Sequence, residues 1–246
     1  MVWAPQHLPG RGCRRKSRTF FRLAGREVWP NVRPMKSHFL PSLAAIGILA
    51  GTINLAAADD EAGFKSLMDG KTFAGWKTAE ENKDTWKIED GAFVAHGSRC
   101  HLFYVGDARP FKNFHLKVEV MTEPSSNGGI YFHTKYQADG WPKAGFESQV
   151  NCTHGDWIKT GSLYGLVNIG TSASQDNKWW TQEIIVEGNK VTVKVDGKIV
   201  LQYIEPQGVQ AGKDFERKLG EGTFALQGHD SKTTIRYKNI RVKRLD

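Results

Sequence analysis

In the stretch GFESQVNCTHGDWIKTGSLYGL, residues 145–166, Glu147 and Gln149 stand two apart in a strand-like run. Two other runs carry similar groups. GGIYFHT sets Ile130 and Phe132 against Tyr131 and His133, and GTFALQGH sets Phe224 and Leu226 against Ala225, Gln227 and His229. Successive side chains of a strand point to opposite faces, so each run has an apolar face for a core and a face of hydrogen-bonding groups. A merely solvated face usually favours Lys, Thr and Glu. Tyr, His, Glu and Gln together suit a surface that grips a hydroxyl-rich ligand, because amides and carboxylates make fixed, paired hydrogen bonds. Against this stands a plainer reading, in which Glu147 is a solvated residue facing a lysine and His133 and His229 are hydrogen-bonded structural histidines. Tyr131 and Tyr164 serve equally well as cross-strand packing partners.

These residues need a sheet to hold them, and the chain is written in period two. In FHLKVEVM (114–121) Phe114, Leu116, Val118 and Val120 fall on one face, and KVTVKV (190–195) repeats the pattern with Val191, Val193 and Val195. DGAFVAHG, EGNKV and VDGKIV place Asp-Gly or Gly-Asn pairs between such runs, a hairpin signal. Further strands are predicted at 85–89, 92–96, 101–105, 128–135, 145–150, 162–167, 179–187, 198–204, 222–228 and 233–243. No amphipathic helix of ten or more residues is expected after residue 58. Many short strands separated by glycine turns predict an all-β sandwich or barrel. Longer polar connections fall at 136–144, 151–161, 170–178 and 205–221. In HGDWIKTG, Asp156 and Lys159 either order their loop or reach the site, and a long polar loop over a sheet favours the site. His154 has no assigned role. Trp179 and Trp180 are adjacent, so one is expected in the core and the other at the surface, where it can stack on a sugar ring.

The formal charge of +8 belongs to the start of the chain. Residues 1–34 hold eight Arg and Lys against Glu27 alone. They read as a basic extension, either a leader or untranslated sequence upstream of a true start at Met35. MKSHFLPSLAAIGILAGTINLAAADD then shows a basic start, a short apolar stretch and small residues before acids, the layout of a secretory signal peptide over 35–58. The stretch is short for a membrane span. A cut after Ala58 removes nine of the 34 basic side chains and one of the 26 acids, leaving 25 of each in the expected domain, 59–246. Nucleic-acid and acidic-membrane partners therefore lose their support, and a periplasmic or secreted protein is expected. Of the three cysteines, Cys100 and Cys152 follow the cut, and a disulfide or two buried thiols both remain open.

SSNGGIYFHTKY, GFESQVNCTHGDWIKTGSLYGL, KWWTQEIIVEGNKVTVKVDGK and GTFALQGHDSKTTIRYKNIRVK, in that order, resemble the 3-keto-disaccharide hydrolase family, whose members are also described as 3-keto-glucoside 1,2-lyase and 3-keto-2-hydroxyglucal hydratase domains. The likeness runs from about Gly63 to Leu245. It implies a concanavalin-A-like jelly-roll sandwich, in agreement with the strand pattern, and an exported enzyme. Some glucanases of that fold use an E-x-D-x-x-E strand. Here the comparable strand is Glu147-Ser148-Gln149-Val150-Asn151-Cys152, and its second and third acids are missing, so double displacement is poorly supported.

The resemblance implies a different reaction. A ketone at C3 of a sugar acidifies the C2 hydrogen; a base removes it, an enolate forms, and the C1 oxygen leaves by β-elimination. Addition of water then gives net hydrolysis. This needs a base, a partner for the enolate oxygen and an acid for the leaving group. Glu147 or His133 would be the base and His229 the acid or oxyanion partner, with Gln149, Gln227, Tyr131 and Tyr164 orienting hydroxyls. The sequence requires no cofactor, and a divalent metal stays open because His133, Glu147 and His229 would be competent ligands if they converged. The ketone would come from a separate sugar 3-dehydrogenase. The rival reading is a non-catalytic carbohydrate-binding module.

Overall fold

The computed structural model describes residues 61–246. The expected extension, signal segment and cleavage point lie outside them. Among the described residues no helix is long and apolar enough to cross a membrane.

Thirteen strands follow one another along these residues. They are β1 (Lys65–Ser66), β2 (Trp76–Thr78), β3 (Trp86–Glu89), β4 (Ala92–His96), β5 (Cys100–Tyr104), β6 (Phe114–Thr122) and β7 (Gly128–Thr134). After these come β8 (Phe146–Val150), β9 (Trp180–Glu187), β10 (Lys190–Val195), β11 (Lys198–Ile204), β12 (Thr223–Gly228) and β13 (Thr234–Arg244). An eight-stranded sheet runs β11-β10-β9-β6-β13-β4-β3, with β1 beside the far half of β13. A five-stranded sheet runs β2-β5-β12-β7-β8. All pairings are antiparallel, and the two sheets form a sandwich-like arrangement consistent with a jelly roll.

The hairpin signals act as expected. Asp90-Gly91 and Asp196-Gly197 have positive φ at both positions, the twist that a two-residue turn between antiparallel strands requires. Alternation then sets the core. Phe114, Leu116, Val118 and Val120 of β6 are buried, and the Phe114 ring meets Phe132 of β7 at 6.0 Å and Phe224 of β12 at 5.0 Å. A polar strap crosses the same layer, where Gln182 Nε2 of β9 donates to Ser148 Oγ of β8 at 2.8 Å and to the Gln149 carbonyl at 3.1 Å.

Two strand expectations change. Residues 162–167 form no strand: Leu163 bridges Ser148, and Leu166 and Val167 turn back onto the Leu163 carbonyl. The segment still hydrogen-bonds along the free edge of β8, through Gln149 N to Ser162 O, Gly161 N to Gln149 O and Tyr164 N to Glu147 O. It covers an edge that would otherwise be open to pairing with another chain. The short strands β1 and β2 carry too few residues to show a period. Cys100 and Cys152 are both buried and free, so the open disulfide question resolves as two thiols.

Candidate functional site

Register brings the polar residues together. Tyr131 lies between Glu147 on one side and Ala225 on the other. One step along, Gln149, Gly129, Gln227 and His101 form a second row across four strands. Side chains directly opposite one another on a sheet face are in contact range, and here they interlock. Tyr131 Oη donates to Glu147 Oε2 at 2.8 Å, Gln227 Nε2 donates to Glu147 Oε1 at 3.2 Å, and Gln227 Nε2 reaches Tyr131 Oη at 3.0 Å. Gln149 Nε2 donates to Asn127 Oδ1 at 2.5 Å.

This face is not solvated. Glu147 is 5 % exposed, Tyr131 2 %, Gln149 1 % and Gln227 1 %. The connections close over it to leave a cavity of about 360 Å³, lined by Tyr131, Glu147, Gln149 and Gln227 from the sheet and by Trp141, Tyr164, Phe215, Arg217 and His229 around it. That size suits a small-molecule ligand. Burial dominates the electrostatics of the floor: it raises Glu147 to about 7, opposed by the Tyr131 hydrogen bond, the Arg217 charge and the Gln227 hydrogen bond. It also pushes Tyr131 well above the ordinary phenol range and drives His101 down to about 3. A carboxylate poised near neutrality in a small cavity is a good proton acceptor at physiological pH.

At the rim, His229 Nδ1 is 2.9 Å from Asp230 Oδ2, and His154 Nε2 lies 3.6 Å from the same oxygen. Burial alone would raise Asp230, yet hydrogen bonds from His229 and the Lys232 amide hold its carboxyl below the usual range. An ionised Asp230 accepts from Nδ1–H of His229 and so leaves Nε2 as the exchangeable nitrogen. The Trp141 ring packs on His229 at 5.0 Å.

Three expected site residues stand apart. His133 does not line the cavity: its φ of 53° takes it out of the strand alternation, and its ring meets Phe114 at 5.6 Å. The Lys112 carbonyl is 2.9 Å from Nε2, and the Gly220 amide donates to Nδ1 at 3.3 Å. Burial lowers its pKa, and both nitrogens are used by the backbone. Lys159 Nζ donates to the carbonyls of His154 (2.7 Å) and Asp156 (2.8 Å) and to Asn151 Oδ1 (3.3 Å). Asp156 Oδ1 accepts from the Ile158 amide at 3.1 Å. Both order the 151–161 loop, and neither lines the cavity. Lys159→Met should cost about 1.5–3 kcal/mol in thermal unfolding, the range for hydrogen bonds to charged groups, with kcat nearly unchanged. A large kcat loss at unchanged stability would instead mean that Lys159 reaches the ligand.

The potential metal set His133, Glu147 and His229 does not converge, since His133 is elsewhere. Among the described residues no three His, Cys, Asp or Glu side chains form a ligand cluster. Of the tryptophan pair, Trp180 is buried and Trp179 is surface-lying with Lys238 Nζ 3.9 Å from its ring centroid. The indole at the cavity is Trp141. Trp141, Phe215, Arg217 and Asn127 were not expected there. The first three come from the long polar connections 136–144 and 205–221, where length was the one signal that could have pointed to them.

Residues 63–243 match the family described as 3-keto-alpha-glucoside-1,2-lyase-like domain. The chain belongs to this family. A 3-keto-disaccharide hydrolase of Bacteroides thetaiotaomicron is 35% identical over 81 residues, a stretch that covers 30% of this chain and 28% of that relative's length. The fold matches a candidate glycosyl hydrolase from Parabacteroides distasonis with a TM-score of 0.64 at 21% identity, over 77% of this chain and 97% of the other. It also matches the carbohydrate-binding module CBM66 from Bacillus subtilis with a TM-score of 0.50 at 15% identity, over 69% and 95%. The structural likenesses speak for the fold alone.

Proposed function

We propose that the protein cleaves the glycosidic bond of 3-keto-glycosides, including 3-keto-disaccharides, by elimination followed by hydration. Glu147 is the base that takes the C2 hydrogen. His229, held at Nδ1 by Asp230, acts as the imidazolium: it gives its Nε2 proton to the departing C1 oxygen and is left neutral. Gln149, Gln227, Tyr131 and Tyr164 hold the sugar hydroxyls. The observation that carries this reading is Glu147 itself: a buried carboxylate, raised to about 7, on the floor of a ligand-sized cavity. A solvated strand glutamate or a lectin's sugar-binding carboxylate has no need of that environment. With no second carboxylate in the register rows beside Glu147, a one-base elimination suits the site better than double displacement. The family membership and the activity of the Bacteroides relative support the 3-keto substrate class. In this scheme the chain acts after export, its leader removed after Ala58, on ketones made by a separate sugar 3-dehydrogenase.

The test is NMR of the purified protein in D2O with a 3-keto-disaccharide, beside the unoxidised disaccharide. Cleavage of the keto sugar alone, with deuterium entering at C2, is the expected result. Cleavage of the plain sugar would mean an ordinary glycosidase. Line broadening of either sugar without turnover would mean a binding module.

A further inference from the structure

Six arginines lie among the described residues, and five of them pair with carboxylates: Arg99 with Glu81, Arg109 with Asp246, Arg236 with Glu123, Arg241 with Glu61 and Arg244 with Asp107. Arg217 pairs with none. It is also the arginine that lines the cavity, and its Nη1 is buried without a hydrogen-bond partner. Its surroundings fix it in place. The neighbouring Glu216 amide donates to the Lys143 carbonyl at 2.9 Å, the Leu219 amide to Glu205 Oε2 at 2.7 Å, and the guanidinium lies 4.9 Å from the Phe215 ring centroid. A φ of 41° at Arg217 is a conformation that side chains other than glycine rarely adopt, and the surrounding contacts hold it there.

A buried, unpaired N–H donor costs free energy unless something accepts from it. The cavity also holds the complementary case. Gln149 Oε1 and Gln227 Oε1 are buried acceptors without donors. Its floor therefore asks for hydroxyl donors on the sheet side and for an oxygen acceptor beneath the guanidinium. Sugar hydroxyls can donate to the two amide oxygens, and a ring ketone, whose oxygen only accepts, can take the guanidinium N–H.

We infer that Arg217 binds the ketone oxygen of the substrate and holds the negative charge that gathers there when Glu147 takes the adjacent hydrogen. This rests on the elimination proposed above. In the first step the Glu147 carboxylate forms an O–H bond, the C2–H electron pair becomes the C2–C3 π bond, and the carbonyl π pair moves to the oxygen beside Arg217. In the second step that pair re-forms the carbonyl, C1 and C2 become doubly bonded, and the C1–O bond breaks with a proton passing to the leaving oxygen. Charge on the oxygen peaks between the two steps, so a guanidinium already in place is most useful there. An unoxidised sugar offers no such charge at any stage, which makes Arg217 the group that selects the keto form.

The experiment follows deuterium entry at C2 of a 3-keto-disaccharide in D2O with wild type, Arg217→Met and Arg217→Lys, together with thermal unfolding of each. Loss of an oxyanion donor predicts exchange slowed roughly 10²–10³-fold in Arg217→Met at a wild-type melting temperature. Added guanidinium ion should restore part of the rate, an effect a structural role would not show. Arg217→Lys keeps the charge without the fork and should fall between the two. Wild-type exchange in Arg217→Met overturns the assignment while leaving the elimination standing. If Arg217→Met does not fold, wild-type exchange in Arg217→Lys without any guanidinium effect overturns it. Absence of C2 exchange in wild type removes both the elimination and the role of Arg217.

Discussion

Glu147→Gln should lower the rate of C2 exchange and of cleavage by roughly 10²–10⁴-fold, the usual contribution of a positioned general base. The amide keeps the size of the side chain and can still accept from Tyr131 or Gln227, so the fold should persist. Stability should move the other way. The carboxyl titrates at about 7 in the folded protein against an ordinary 4.5. A carboxyl raised on folding favours the native state fully below pH 4.5, and that contribution fades as pH rises through 7. The gap corresponds to about 3 kcal/mol at alkaline pH. Glu147→Gln, which cannot ionise, should therefore melt higher than wild type at pH 8 and gain little at pH 4. Wild-type activity should rise as pH passes through about 7, because the base works only when ionised. An active Glu147→Gln enzyme would remove Glu147 from the chemistry. An inactive variant that is also less stable at pH 8 would mean that the carboxylate is structural.

Gly129→Ala is expected to lower activity strongly without replacing any polar side chain. Gly129 sits on the cavity face between Gln149 and Gln227. A Cβ built there would lie 2.5 Å from Glu147 Oε1, 2.7 Å from its Cγ and 2.9 Å from its Cδ. Because the Glu147 carboxylate is buried and accepts from Tyr131 at Oε2 and Gln227 at Oε1, it cannot move aside without breaking that network. Overpacking of this kind costs about 1–3 kcal/mol. The catalytic loss should be larger, roughly 10²-fold, because a displacement of about 1 Å at the base is enough. A fall in kcat with KM nearly unchanged, at a melting temperature lowered by several degrees, is the signature to measure. Wild-type kcat in Gly129→Ala would mean that Glu147 does not act from the position it holds here.

Much of the sheet face was readable from sequence because strand side chains repeat with a period of two. Ile130, Phe132, Phe146, Phe224 and Leu226 had to share the core. The residues between them, Tyr131, Glu147, Gln149 and Gln227, had to lie on the opposite face of each strand, and the shared sheet then set them side by side. Turn chemistry was equally local: Asp90-Gly91 and Asp196-Gly197 specify tight hairpins by their own backbone preferences. Local pattern failed where the backbone left its period. His133 continues the alternation on paper, yet its left-handed φ and two backbone hydrogen bonds turn it from the cavity into a packed position. Residues 162–167 alternate like a strand, but the hydrogen bonds of Leu166 and Val167 to Leu163 spend them on a turn.

What only the tertiary structure decided is which groups meet across long stretches of chain. The pairing β5-β12-β7-β8 put His101 in the row of Gln227, and the loops that close over that row enclosed Glu147 enough to move it toward neutrality. Trp141 and Arg217 reach the cavity from connections with no period of their own, held by contacts such as the Glu216 amide on the Lys143 carbonyl and the Trp141 ring on His229. Composition and spacing determine a strand's faces because every residue reports on its neighbours two away. A loop's destination depends on surfaces that exist only after the sheets have formed, so the place of Glu147 on a polar strand face was legible in the sequence and that of Arg217 at the same cavity was not.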